Sequence, residues 1–258
     1  MILSTFILGL VVGLISSVLG LGGGILIVPI LPLVTDLSRK ESVFVSLFAI
    51  LVIVLVNTIS FLRQKKVDKR AAFIFGPMTA VGAVVAVQFI SPHFTNEGLR
   101  ITLAMVLLFW GGLNVYKVFI QKSHLTEPGS GDFSLSKKVT YFALALGAGA
   151  LSGLLGIGSG LIISLLFVGL AWLDTDKISP SSNAVMVFTT LAGALTYMAQ
   201  LGFKSSSEFA LNYSLPIIAG ALITSYFGRK IQGRVDRKLR AIILIVLLFV
   251  LSARTLVS

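Results

Sequence analysis

The sequence predicts an all-α integral membrane protein: an inverted repeat in which each half is a glycine-broken, re-entrant helical hairpin plus three transmembrane helices. Three observations predict it. Of 258 residues, 56% are hydrophobic and only 12% charged, and about 20 consecutive apolar residues suffice to span a bilayer. Eight apolar runs fall at 2–34, 43–62, 71–90, 100–119, 139–173, 183–201, 209–227 and 239–256, and the first and fifth are too long for one upright helix. Both long runs are interrupted by the same glycine cluster, 136 positions apart. None of the runs alternates polar with apolar residues, which argues against a β-barrel.

The first run carries GLISSVLGLGGG (13–24), followed by Pro29 and Pro32. Inside a helix each glycine costs roughly 0.8–1.0 kcal/mol relative to alanine, so Gly20, Gly22, Gly23 and Gly24 mark a break. The fifth run repeats it as GALSGLLGIGSG (149–160): Gly13 pairs with Gly149, Ser16 with Ser152, Gly20 with Gly156, Gly22 with Gly158, Gly23 with Ser159 and Gly24 with Gly160. The same shift carries Ser46 onto Ser182, and Gly82-Ala83 faces Gly220-Ala221 with a two-residue slip. Internal duplication of this kind marks transporters. The polar stretch QKSHLTEPGSGDFSLSKK (121–138) reads as a linker,. The organisation is therefore a first repeat over 1–120, a polar cytoplasmic linker over 121–138 and a second, inverted repeat over 139–258.

Loop charge sets the topology. The net charge of +11 comes from basic residues in short loops, which the positive-inside rule explains without a nucleic-acid partner,. Eight simple crossings would put eleven basic residues on one side and ten on the other. If the glycine breaks make hairpins that enter and leave on one side, 16 of the 21 fall together, in 63–70, 117–138, 173–180 and 228–240. Three crossings per half then give the copies opposite orientations in a cytoplasmic membrane, with both termini outside. The second legs, Ile25–Val34 and Leu161–Leu173, are short for about 30 Å of hydrocarbon, which favours re-entrant hairpins. The N-terminal MILSTFILGLVVG lacks a basic n-region and a small-residue cleavage site, and reads as a retained segment, not a signal peptide,.

Two opposed hairpins would meet near the midplane, each presenting the start of a short second helix. Helix starts expose unpaired N–H groups and roughly +0.5 of a charge, and glycine lets an anion approach the backbone. The candidate substrate-binding residues are Gly22, Gly23 and Gly24 with Gly158, Ser159 and Gly160. Gly13 and Gly149 read instead as close-packing positions. Ser46 and Asn57 on the second run, and Ser182, Asn183, Thr189 and Thr190 on its partner, supply intramembrane polarity. Of these, Ser46 and Ser182 gain weight from matching repeat positions. Asn57 and Asn183 either serve the site or bond a neighbouring helix.

The ten acidic residues all sit in loops or at run ends, so no carboxylate lies mid-membrane as a proton relay, catalytic base or cation ligand,. The sequence contains no cysteine, both histidines fall in predicted loops, and no GxxxxGK[ST] motif occurs,. No catalytic residue, metal or cofactor is expected.

In LISSVLGLGGGILIVPIL, the following VSLFAI and LSGLLGIGSGLIIS the chain resembles the TauE/SafE sulfite exporter family over essentially its whole length. The resemblance implies a secondary transporter for small sulfur-containing anions (sulfite, thiosulfate, sulfoacetate or other organosulfonates) and points to Gly22–Gly24 with Ser46, and Gly158–Gly160 with Ser182. The partners expected are that anion and membrane lipid, with a homodimer left open. A passive anion channel of similar architecture and a transporter of small carboxylates are the alternatives. Three departures stand out: Ser159 replaces the middle glycine, Leu165 stands where the first half has Pro29, and Asn183 where it has Leu47.

Overall fold

The structure, a computed structural model, describes residues 2–19, 24–116, 135–170, 173–232 and 236–257. Gly22, Gly23 and most of the polar linker lie outside them. Among the described residues there is no strand, and seven helices are long and apolar enough to cross a membrane.

The helices are α1 (Ile2–Leu19), α2 (Gly24–Val34), α3 (Arg39–Arg63), α4 (Lys69–Val85), α5 (Asn96–Val115), α6 (Leu135–Leu155), α7 (Gly160–Leu170), α8 (Thr175–Leu201), α9 (Phe203–Phe209), α10 (Leu215–Gln232) and α11 (Arg237–Val257). Their starts are written in the sequence. Ser38 caps α3 in a reciprocal box with Glu41, and Asp68 and Thr95 cap α4 and α5,. At the constant shift of 136, α7 begins where α2 does and α8 where α3 does. The fourth element departs from this regularity. A π-helical turn, Ala86–Ile90, follows α4, whereas in the second half the turn Ala210–Ser214 separates α9 from α10. Both are tied to the bundle: the Gln200 amide donates to the Val87 carbonyl at 2.8 Å, and Ser214 to the Val45 carbonyl at 3.2 Å.

Packing interleaves the sequence halves. Helix α1 lies on α10 and α6 on α4 through glycines that admit a neighbouring backbone: Gly9 faces Ile217, Gly13 faces Ala221, Gly149 faces Thr79 and Gly153 faces Ala83. Thr224 also donates to the Leu10 carbonyl. Small residues at such crossings gain contact without a hydrophobic driving force, which lipid cannot supply.

Contact order gives the helix directions. Asp68, Thr79 and Val87 meet Ser181, Thr189 and Gln200 in turn, so α4 runs parallel to α8. Ser164 and Gly160 meet Ser182 and Met186, so α7 runs antiparallel to α8. Helix α3 turns back into α4 within five residues, at 64–68, and is antiparallel to α8. In α5 and α11, Ala104 meets Ser252 and Gly111 meets Phe249, again antiparallel. The end of α3 and the starts of α4 and α8 therefore share one face of the bundle. The starts of α3 and α5 occupy the other.

Candidate functional site

The two breaks are brought together in the core. Gly24 opens α2 with its Cα against the backbone of Ile157, where an added Cβ would stand 2.6 Å from the carbonyl carbon and also strike Ile50. Gly160 opens α7 against Met186, whose Sδ would be 3.1 Å from a Cβ there. Ile50 and Met186 are themselves 136 apart, each eleven residues beyond the first residue of its long helix. At 1.5 Å per residue that is about 16 Å along each helix from its start.

The second break is resolved in full, and its sharp turn needs glycine. Gly156 and Gly158 have φ of +67° and +77°, a left-handed conformation that costs other L-residues roughly 1–2 kcal/mol. The Gly156 N–H closes the last turn of α6 on the Ser152 carbonyl, and the Gly156 carbonyl accepts from Ser46 Oγ at 2.7 Å. Ser46 thus binds the first half's long helix to the second half's break.

A chain of hydroxyls leads away from Ser159. Ser159 Oγ lies 2.8 Å from Thr189 Oγ1, Thr189 donates to Thr79 Oγ1 at 2.7 Å, and Thr79 donates to the Gly76 carbonyl at 2.8 Å. All three hydroxyl residues are fully buried. One level down, Ser164 donates to Ser182, and Ser182 to the Ser179 carbonyl. Asn183 donates to that same carbonyl, and its Oδ1 is buried without a partner. The Gly160 N–H points at Met186 Sδ, 3.3 Å away. A thioether is a weak acceptor, so this donor is held but poorly satisfied.

The polarity is one-sided. Shifted by 136, Thr189, Ser164, Asn183 and Met186 correspond to Ile53, Val28, Leu47 and Ile50. With the two-residue slip, Thr79 corresponds to Ile217. The side chains that correspond on the Gly24 side are therefore hydrocarbon, and those on the Gly160 side are hydroxyls, an amide and a thioether.

Of the residues singled out from sequence, Gly24, Ser46, Gly158, Ser159 and Gly160 come together at the breaks. Ser182 and Asn183 lie one turn before Met186 on the same helix. Gly22 and Gly23 fall outside the described residues. Asn57 is not gathered in: it lies eleven residues beyond Ser46 on α3, about 16 Å along the axis,. Thr79 and Met186 were missed. Thr79 has no polar repeat partner to draw notice, and a methionine reads as core filler. The signal that finds Met186 is the repeat itself, which aligns it with Ile50.

A family model described as "Sulfite exporter TauE/SafE" matches residues 5–255. The chain belongs to that family. It is 28% identical to the probable membrane transporter protein YunE of Bacillus subtilis, over 91% of this chain and 88% of that one. It is 25% identical to a probable membrane transporter protein of Haemophilus influenzae, covering 96% and 92% of the two chains. A probable membrane transporter protein of Methanocaldococcus jannaschii is also 25% identical, over 90% and 86%. No solved structure matches this TauE/SafE chain. With seven apolar helices of membrane-spanning length among the described residues, it is a multi-pass membrane protein of a transporter family.

Proposed function

We propose that the chain is a secondary transporter of small sulfur-containing anions, binding them at mid-depth between the two breaks and alternating access by rocking its two inverted repeats. The observation that carries the reading is the packing of the Gly24 helix start against Ile157 of the second break, beside Ile50 of α3, with Met186 of α8 facing Gly158 and Gly160. The Gly160 N–H is held there only by a thioether. An oxyanion is a far stronger acceptor than sulfur, and entering by displacing Met186 it would gain a backbone donor at the positive end of α7. Rotation of Ser159 would add its O–H while Thr189 keeps its bond to Thr79.

Antiparallel α3 and α8, and antiparallel α5 and α11, support inverted repeats of 1–120 and 139–258 about a linker at 121–138. The face with Arg63, Lys65, Lys66, Lys69 and Arg70 is read as cytoplasmic, which leaves both termini outside. Discontinuous helices meeting at a repeat interface are a recurrent transporter arrangement. The burial of Gly24 and of residues 152–160 favours an occluding carrier over an open pore.

The test is counterflow in proteoliposomes. Vesicles preloaded with unlabelled thiosulfate or sulfite should accumulate the labelled anion transiently, and Ser159→Ala should weaken its apparent affinity. Uptake that never saturates and shows no counterflow would make the protein a channel. Counterflow with small carboxylates alone would move the substrate class.

A further inference from the structure

Beside the second break lies a buried acceptor that no described group satisfies. Asn183, 8% exposed, donates its Nδ2 to the Ser179 carbonyl at 2.8 Å, and its Oδ1 has no hydrogen-bond partner. The amide cannot be turned to reverse this, because a flipped Oδ1 would face the Ser179 oxygen. Nor does the fold call for an amide here. The Ser179 carbonyl already receives the Ser182 hydroxyl, and the repeat counterpart of Asn183 is Leu47, a fully buried hydrocarbon. An acceptor stranded in the interior is costly unless a donor reaches it in another state of the molecule.

Its place on α8 says where that donor would come from. Asn183 stands three residues before Met186, and a helical side chain leans toward the N-terminus of its own helix, so the Met186 thioether lies over the turn that carries Asn183,. An anion that displaces the thioether from the Gly160 N–H therefore comes to rest over the same turn. The surroundings set its charge. The atoms that crowd Gly24, Gly158 and Gly160 belong to Ile50, Ile157 and Met186, and Ser159 is bonded to Thr189, none of them ionisable. Burying an ion costs in proportion to the square of its charge, so a dianion is about four times as hard to bring here as a monoanion. A metal cation is a poor match for the free oxygen, because the Ser179 carbonyl already accepts from Ser182 and Asn183, and the Gly160 carbonyl from Ser164. We propose that Asn183 Oδ1 accepts a hydrogen from the cargo itself, so that the form carried is a singly charged oxyanion with its own proton donor: hydrogen sulfite, not the sulfite dianion. This rests on the transport reading above and narrows it.

Labelled sulfite counterflow by the purified full chain in proteoliposomes, corrected for protein-free vesicles, would be followed across the neutral pH range, where sulfite gains and loses its proton. On the alkaline side the KM should rise about tenfold per pH unit when expressed as total sulfite, and stay constant when expressed as hydrogen sulfite. Thiosulfate carries no proton in this range. It should compete about tenfold more weakly than hydrogen sulfite, the factor for one buried hydrogen bond, at a potency that ignores pH. On the elements packed against this end of α8 the described ionisable groups are Asp68, Lys69 and Arg70 of α4, Arg63 of α3, Tyr141 of α6, and Asp174, Asp176 and Lys177 at its own start. None is a histidine, so a dependence across neutrality belongs to the cargo. Asn183→Leu, which installs the side chain of the other repeat, should raise the KM for hydrogen sulfite about tenfold and leave the potency of thiosulfate unchanged. Its ligand-free Tm should not fall, since the substitution removes the stranded acceptor while Ser182 still serves the Ser179 carbonyl,. A KM constant in total sulfite, a thiosulfate potency that follows pH or equals that of hydrogen sulfite, or an Asn183→Leu variant with the parent's KM overturns the proposal and leaves transport standing. Counterflow that needs sodium, and loses that need in Asn183→Leu, makes Oδ1 a cation ligand and also overturns it. No counterflow of any sulfur anion at any pH overturns the transport reading itself, and the proposal with it.

Discussion

Gly24→Ala tests the meeting of the two breaks most directly. The new Cβ would stand 2.6 Å from the Ile157 carbonyl carbon, with Ile50 Cδ1 and the Ile157 oxygen closer still. Ile50 can rotate away, but the backbone of Ile157 cannot move without reshaping the Gly156–Gly158 turn. Overpacking of this kind costs about 1–3 kcal/mol, against at most about 1 kcal/mol gained from alanine's better helix propensity. A net loss is expected, with α2 pushed away from the second break and counterflow largely abolished. Gly112→Ala is the control: nothing lies within 4 Å of its Cβ position in α5, so only the propensity gain remains. At about 2–4 °C per kcal/mol for a chain approaching this size, the two variants should shift the apparent Tm in opposite directions at a fixed scan rate in one detergent. Gly24→Ala as stable and as active as the parent would refute the contact between the breaks.

The remaining predictions concern single bonds at the site. Gly158→Ala must hold a φ of +77° and crowd Met186 Sδ at 2.6 Å; a loss of about 2 kcal/mol or more is expected, read as a lower Tm. Ser46→Ala leaves the buried Gly156 carbonyl without its donor and should cost about 1–2 kcal/mol, the upper end for hydrogen bonds between membrane helices. Thr189→Val cuts the chain between Ser159 and Thr79 and should raise the KM for the anion, as isothermal binding and uptake would show, and lower the Tm because it strands the buried Ser159 hydroxyl. Met186→Leu keeps volume but removes the acceptor of the Gly160 N–H. The ligand-free state alone loses that bond, so anion affinity should rise while the ligand-free Tm falls slightly.

Much of the architecture was legible because membrane insertion leaves a coarse code. Long apolar runs, glycine clusters at one constant shift and the skew of basic loops pointed to paired broken hairpins. The helix starts at Gly24 and Gly160 fall where the glycine motifs end. Ser46 stood out through its repeat partner, and the structure finds it bonded to Gly156. What stayed hidden depends on contacts between distant segments. Thr79 lies in an unremarked FGPMTAV stretch and matters only because α4 runs beside α8. Asn57 drew attention as a polar residue in a membrane helix, but helical rise carries it about three turns from Ser46. The sequence marked Ser159 and Asn183 as departures in the second half, but not that Thr189 against Ile53 and Met186 against Ile50 make the second break the polar one.

The exchange of partners between halves also has a consequence in time. Helix α1 rests on α10, whose residues Ile217, Gly220 and Ala221 meet Gly9 and Gly13 some two hundred positions upstream. At about 5–20 residues per second of synthesis, the first helix waits roughly 10–40 s before its partner exists. During that interval its glycine face is open to lipid, insertion machinery or the helix of another nascent chain. Helix α6, by contrast, finds α4 already made. A chain stopped before α10 would therefore hold a completed partner for α6 and none for α1, which makes the N-terminal helix the segment most exposed to quality control while the protein is being built.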